Sequence, residues 1–476
     1  MSRYDLIVIG GGVSSYGFLK GLESSGSYKN KKIALIYPDK FLQNTENKIL
    51  FTGSPKFLQK KNILTASYWE STIGEKFKQN NFSAVGVHGI GGMARIWGGS
   101  YGLFDGQSIL KNNLNYDQLL TAYQACQNFL PLSGNKKDIL SSYFKGLRET
   151  SGIKTSSRIK NLFGHYLNNN FIVSNPRILL ELDKINKCIY CNQCLAGCHR
   201  DSVWYPQVED FYKLNLNINI TNSYVEYIYR DTLFWGVSLN NKTQSIKAGK
   251  IILGAGVIQN FKLLSRYLNI NSRADIYNTP ALAFAYLNLN KNKETDFFGM
   301  GNATFMANKN EDFFFYGNLY DGYSLAASSG KVFSSNKNID KLFKIFANKI
   351  IAGAGFLSSE NSNCEIKNYD TQISIIGKFS STYKKNVKTA YTYLKKLDKK
   401  KFGQLIRFTK IPLGADIHYG GGIPDELKDK DLLCNGKLKN LDNILVVGGS
   451  TFEYLPPMSP TLSFIANSYK IGRQTY

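Results

Sequence analysis

Residues 4–22 read YDLIVIGGGVSSYGFLKGL, and residues 31–39 read KKIALIYPD. An unbroken apolar run, three glycines and then apolar residues at helical spacing predict a strand, a tight turn and a helix. The second apolar run predicts a partner strand. Together they form a βαβ unit that sets a helix N-terminus opposite the strand ends. Gly10 permits the tight turn, Gly12 lets the backbone approach a pyrophosphate, and Ser15 stands where a third glycine is usual. Free N–H groups at the helix start suit the phosphates. A dinucleotide site also expects an acidic residue at the end of the second strand to hold the ribose. That strand ends at Tyr37. Asp39 fills the role if the strand end is shifted, and otherwise is a solvated turn residue.

Two further glycine-rich segments extend this pattern. Residues 84–104, AVGVHGIGGMARIWGGSYGLF, supply the first, and residues 250–268, KIILGAGVIQNFKLLSRYL, repeat the strand, glycine turn and helix. The last sixty residues return to glycine turns and a closing helix at TLSFIANSYKIG. The fold is therefore expected to be α/β, with a Rossmann-like nucleotide-binding domain that is discontinuous in sequence (1–112, 200–268 and 411–476). Residues 113–199 are expected to be helical cover with a cysteine loop, and 269–410 a second, α+β substrate domain on an antiparallel sheet.

Residues 188–200, CIYCNQCLAGCHR, have the C-x2-C-x2-C-x3-C spacing of a bacterial ferredoxin. Cys188, Cys191, Cys194 and Cys198 are thus candidate ligands of an iron–sulfur cluster, with 4Fe-4S the natural nuclearity. Zinc, reduced thiols or a local disulfide are the alternatives. One tight run suits zinc less well than two separated knuckles. His199 stands where proline usually follows the fourth cysteine. The other cysteines, Cys126, Cys364 and Cys434, read as small buried hydrophobes.

The glycine segments, in this order, resemble those of the glucose-methanol-choline oxidoreductases. Gly91, Gly92, Trp97 and Gly98 match the family segment that passes beside the flavin. Ala255 and Gly256 match the turn whose helix underlies the adenosine. Residues 440–472 resemble the C-terminal segment, with Gly449, Ser450, Pro460 and Thr461 against the pyrophosphate and isoalloxazine. The resemblance implies FAD, with backbone contacts to adenine from Val225 on the strand before the Ala-Gly turn. Members that bind flavin covalently have a histidine at the position of Ile96, so FAD is expected to be dissociable.

Oxidising an alcohol with flavin needs a base for the hydroxyl proton as hydride leaves carbon. His418, in LGADIHYGGGIP (413–424), matches the family's histidine, while His88, His165 and His199 read as packing or surface residues. The family's second catalytic position holds histidine or asparagine, and here it is Ser459. Serine donates to a substrate oxygen but is no base near neutral pH. The expected activity is an FAD-dependent dehydrogenase acting on a hydroxyl group of a sugar, polyol or other alcohol, with electrons leaving through the cluster to a protein or quinone acceptor. A reductase of a carbonyl or C=C bond, and a non-catalytic electron-transfer subunit, are the alternatives.

The formal charge is +24, but the lysines are scattered among asparagines without a basic stripe, so no nucleic-acid partner is expected. No apolar run approaches the roughly 18 residues of a membrane span, and a soluble cytoplasmic protein is expected.

Overall fold

The structure, a computed structural model, describes residues 3–38, 77–324 and 345–475, apart from short stretches within 135–137, 145–150, 165–170, 193–199, 232–233, 240–243, 291–295, 310–312 and 370–371. It is a mixed α/β fold with several sheets.

The first sheet is parallel at its centre. Strand Arg3–Ile9 lies between Lys32–Tyr37 and Gln244–Leu253. Asn217–Asn222 extends one side and Ile444–Val446 the other. Both faces of the central strands are covered, so Arg3–Ile9 and Lys32–Tyr37 are apolar runs without alternation, and Leu6, Val8, Ile33 and Leu35 have no exposed surface, whereas Asn217–Asn222 at the edge alternates Asn and Ile. Trp235–Leu239 and Val225–Arg230 continue the sheet antiparallel. Val225 therefore opens a strand two before the one that leads into Ala255-Gly256, which corrects its expected place.

Helix Val13–Ser25 packs directly on the closing helix Thr461–Gln474. Glycines make the close approach possible. A Cβ on Gly21 would stand 2.0 Å from the carbonyl oxygen of Tyr469, and one on Gly17 2.7 Å from that of Ile465. Backbone thus meets backbone, which brings the starts of both helices to one cleft.

A six-stranded antiparallel sheet forms the second region, in the order Gln404–Lys410, Ala281–Leu287, Ile350–Phe356, Phe313–Asp321, Ala303–Lys309, Phe171–Ser174. The period of two sorts the aromatic run of its fourth strand. Phe313, Phe315 and Leu319 enter a core with Tyr383, Val387 and Leu394 of helix Tyr383–Lys396. Asn318 and Tyr320, of the opposite parity, face the cleft. A five-stranded sheet runs Tyr419–Gly421, Ser272–Asn278, Ser362–Tyr369, Gln372–Phe379, Lys78–Asn80.

Among the described residues of 113–199, Tyr116–Cys126 and Ser157–Lys160 are helices, Ser141–Phe144 a single 3-10 turn, and Phe171–Ser174 an edge strand of the antiparallel sheet. The FIVS sequence of that edge is β-branched and aromatic, and packing on a pleated surface decided its state. No helix of the described residues is long and apolar enough to cross a membrane.

Candidate active site

An elongated cleft, with about 1810 Å3 of unfilled space including its open mouth, runs between the first sheet and the antiparallel sheet. Its floor is the set of glycine turns. The Gly91 N–H donates to the Gly11 carbonyl at 2.8 Å and the Gly10 N–H to that of Ile36 at 2.8 Å, so the first two glycine segments are stitched together. Gly10 takes φ 105° and Gly91 φ 82°, values that favour glycine. Gly92, Trp97 and Gly98 continue the same wall, and the Trp97 indole N–H donates to the Trp204 carbonyl at 3.0 Å.

At the third turn, Gly256 precedes helix Val257–Leu268 with φ 87°. Asn260 holds this turn. Its Oδ1 accepts from the Ala255 N–H at 3.1 Å, and its Nδ2 donates to the Leu253 carbonyl at 3.3 Å and to Ser450 Oγ at 3.0 Å. Gly449, Pro460 and Thr461 line the cleft, whereas Ser450 lies behind the wall as a partner of Asn260. Ser15 is also behind it. Its side chain packs on Gly254, where a Cβ would come within 2.2 Å of Ser15 Oγ. The third position of the fingerprint thus serves helix–strand packing, and neither serine lines the cleft. Asp39 lies outside the described residues.

These residues fit a dinucleotide. A Cβ on Gly12 or Gly256 would meet no protein atom within 4 Å, so both backbones leave room for a close ligand. Val225, Ala255, Tyr224 and Gln259 gather at one end of the cleft. Ser223 Oγ and Gln259 Oε1 are buried there without a hydrogen-bond partner among the described residues. Two buried, unmatched polar atoms in a ligand-sized cleft are suited to ribose and adenine groups. Neither was singled out from sequence, because a serine after a strand and a glutamine in a helix carry no signature. His88 also lines the cleft, its ring edge-on to Tyr224.

At the other end stand His418, Ser459, Phe356, Asn318 and Tyr320. The His418 ring packs 4.6 Å from that of Phe356. Ser459 is buried and its carbonyl accepts from the Gly102 N–H at 3.2 Å. Asn318 is fixed by Ser100 Oγ and Thr304 Oγ1, each at 3.1 Å. His418 Nδ1 lies 2.9 Å from Thr279 Oγ1, which also donates to Asp416 Oδ2 at 2.8 Å. Asn278 Nδ2 donates to Asp416 Oδ1 at 2.6 Å and to the His418 carbonyl at 3.0 Å. Ile417, between Asp416 and His418, has φ 63°, a costly conformation for a β-branched residue. Burial lowers the His418 pKa to about 3, and burial raises that of Asp416 to about 7 against the opposing bonds from Asn278 and Thr279. The site therefore holds a neutral imidazole.

Cys188, Cys191, Cys194 and Cys198 line one small cavity with Leu180, Val203 and Phe298. None of the four is joined in a disulfide among the described residues. Tyr190, Asn192 and Asp201 take positive φ, bending the chain tightly round the cavity. The Tyr190 N–H donates to Cys188 Sγ at 3.4 Å and the Ser202 N–H to Cys198 Sγ at 3.2 Å. Burial pushes the Cys188 thiol up to about 11 and that of Cys194 higher. No three metal-binding side chains among the described residues are placed to share a single ion. His199 lies outside the described residues. Leu180 of this cavity is two residues from Ile178, which lines the cleft, or about 7 Å along an extended chain.

No protein-family model matches the sequence, and no curated protein matches it. Among solved structures the chain is similar to pyridoxine 4-oxidase from Mesorbium loti, at 12% sequence identity and a TM-score of 0.58, covering 99% of this chain and 98% of that one. At that identity the likeness establishes a shared fold over the full length.

Proposed function

We propose that this chain is an FAD-dependent oxidoreductase of the glucose-methanol-choline type that oxidises a hydroxyl group of a small molecule. The observation that carries the reading is His418, a neutral imidazole on the wall of a cleft floored by dinucleotide-type glycine turns, with Nδ1 engaged by Thr279. The full-length structural likeness to a protein named pyridoxine 4-oxidase agrees with it.

The glycine turns at Gly10–Gly12, Gly91–Gly92, Ala255–Gly256 and Gly449 would hold FAD, with Val225, Ser223 and Gln259 at the adenosine and Pro460 and Thr461 nearer the ring. When bound, FAD supplies the hydride acceptor. His418 Nε2 takes the hydroxyl proton, Ser459 donates to the substrate oxygen, and Phe356 and Tyr320 exclude water around the reacting carbon. A polar depression with about 1820 Å3 of unfilled space including its open mouth, lined by Asp105, Lys111, Glu360 and Asn386 among others, adjoins the cleft across the Met458–Ser459 bond, which favours a hydrophilic substrate.

The four cysteines are read as ligands of an iron–sulfur cluster, probed by metal analysis below. What supports the reading is the C-x2-C-x2-C-x3-C spacing, the four thiols round one cavity and the backbone N–H groups on two of the sulfurs. Such a cluster supplies one-electron chemistry, which suits a protein or quinone acceptor.

The test is anaerobic bleaching of the flavin by a panel of sugars, polyols and simple alcohols. A His418→Ala variant should retain its flavin and bleach more slowly by roughly two or more orders of magnitude. Equal bleaching would remove His418 as the base.

A further inference from the structure

The contacts of Thr279 with His418 and Asp416 have a directional consequence. A threonine hydroxyl has one proton to donate and lone pairs to accept with. Thr279 is fully buried and its Oγ1 touches Asp416 Oδ2 at 2.8 Å and His418 Nδ1 at 2.9 Å, so its single proton goes to one of them and not both. With Asp416 ionised, the proton goes to the carboxylate. Oγ1 then accepts from Nδ1–H, and His418 presents the lone pair of Nε2 to the cleft. With Asp416 protonated, the order reverses. Oδ1 accepts from the Asn278 amide, which cannot turn to accept, whereas the Thr279 hydroxyl on Oδ2 can, so the added proton sits on Oδ2 and points at Thr279. Thr279 turns its own proton to Nδ1, and Nε2 must carry the hydrogen.

We propose that Thr279 and Asp416 set which nitrogen of His418 carries the proton, and that protonation of Asp416 reverses the relay, changing His418 from a base into a hydrogen-bond donor toward the substrate. Both residues are positioning residues that act through His418, and the proposal rests on the reading of His418 as the base. One proton enters at Nε2 from the cleft, the Nδ1 proton passes to Thr279 Oγ1, and the Thr279 proton passes to Asp416 Oδ2, so the imidazole carries a single proton before and after. The donor form, with Nε2–H aimed at an oxygen, is the form that assists reduction of a carbonyl. The base form assists oxidation of an alcohol.

The surroundings keep this switch isolated. Asp416 meets Cys364 of strand Ser362–Tyr369 and Tyr419 of strand Tyr419–Gly421, and both stay neutral because burial and the nearby carboxylate push them up, Cys364 to about 12. From the end of strand Ser272–Asn278 come only the neutral Asn278 and Thr279. Burial holds the titration of Asp416 near neutrality while keeping His418 uncharged. The left-handed Ile417 holds the two groups on the same hydroxyl.

Nitrogen-15 NMR of histidine-labelled protein, as purified, reads the tautomer directly. The chain has four histidines, and loss of one signal pair in His418→Gln assigns the ring. Between pH 5.5 and 8.5 the His418 signals should exchange character, with Nε2 protonated at low pH and Nδ1 at high pH and no imidazolium. Asp416→Asn, whose amide donates permanently to Thr279, should lock the Nε2–H form at every pH. Thr279→Val should abolish the exchange, and Thr279→Ser should restore it. One unchanged tautomer in the parent across this range, direct conversion to imidazolium, or an unaltered exchange in Thr279→Val would overturn the proposal. Visible absorbance of the same samples reports flavin separately, so its absence would sink the flavoenzyme reading while the tautomer result stands.

Discussion

The Asn260 side-chain amide donates to Ser450 Oγ at 3.0 Å across 190 residues of sequence, tying the turn after Gln244–Leu253 to the last glycine turn. Asn260 is fully buried and also engages the Ala255 N–H and the Leu253 carbonyl. Asn260→Ala should therefore destabilise the protein by about 2–4 kcal/mol, since several buried groups lose partners at once. Ser450→Ala should cost about 1 kcal/mol. Denaturant unfolding of both variants checks this, and equal losses would contradict it.

The packing of the first and last helices predicts a second effect. Gly21→Ala places a methyl 2.0 Å from the Tyr469 carbonyl oxygen, which only separation of the helices relieves. A loss of about 1–3 kcal/mol is expected, with weakened flavin retention because both helix starts border the cleft. Thermal unfolding with and without added FAD measures both.

Ser223 offers the opposite case. Its hydroxyl is buried without a partner among the described residues, so Ser223→Ala should leave the flavin-free protein as stable as the parent or slightly more so. Flavin affinity should fall by roughly three- to tenfold, equivalent to one hydrogen bond. Unchanged affinity would remove Ser223 from the ribose site.

Acid stability carries a signed prediction. His418 titrates at about 3 in the folded chain against an ordinary 6.5, so the unfolded state binds the extra proton, and its contribution, complete above about 6.5, is lost as pH falls toward 3. Asp416, raised to about 7 from 3.8, works in reverse: its contribution is complete below about 3.8 and is lost as pH rises to 7. The two oppose each other in the parent. His418→Gln should leave a chain whose stability falls as pH rises from 4 to 7, and Asp416→Asn one whose stability falls as pH drops over the same range. Urea midpoints at four pH values test the signs.

The glycine turns were legible because their function lies in local backbone geometry, and geometry of that kind is written in spacing. The expectation for Gly12, Gly91 and Gly256 follows from nothing more than the absence of a Cβ. Ser15 and Ser450 mark the limit of spacing, which says that a small residue belongs there, not whether it lines the cleft or the layer behind. Thr279 and Asp416 were invisible, since they stand 137 residues apart and become a pair only when Ser272–Asn278 and Tyr419–Gly421 join one sheet. The edge strand Phe171–Ser174 was hidden by helical patterns around it and made by partners at Thr304 to Ala307.

The central claim is tested most directly by a visible spectrum of anaerobically purified protein, with the released cofactor identified and iron and sulfide measured. The account predicts oxidised-flavin bands from about one FAD per chain, with iron and sulfide in the proportions of a cluster held by the four cysteines. Flavin without iron would remove the cluster and leave the oxidoreductase, whereas correctly folded protein that neither contains nor takes up flavin would contradict the account.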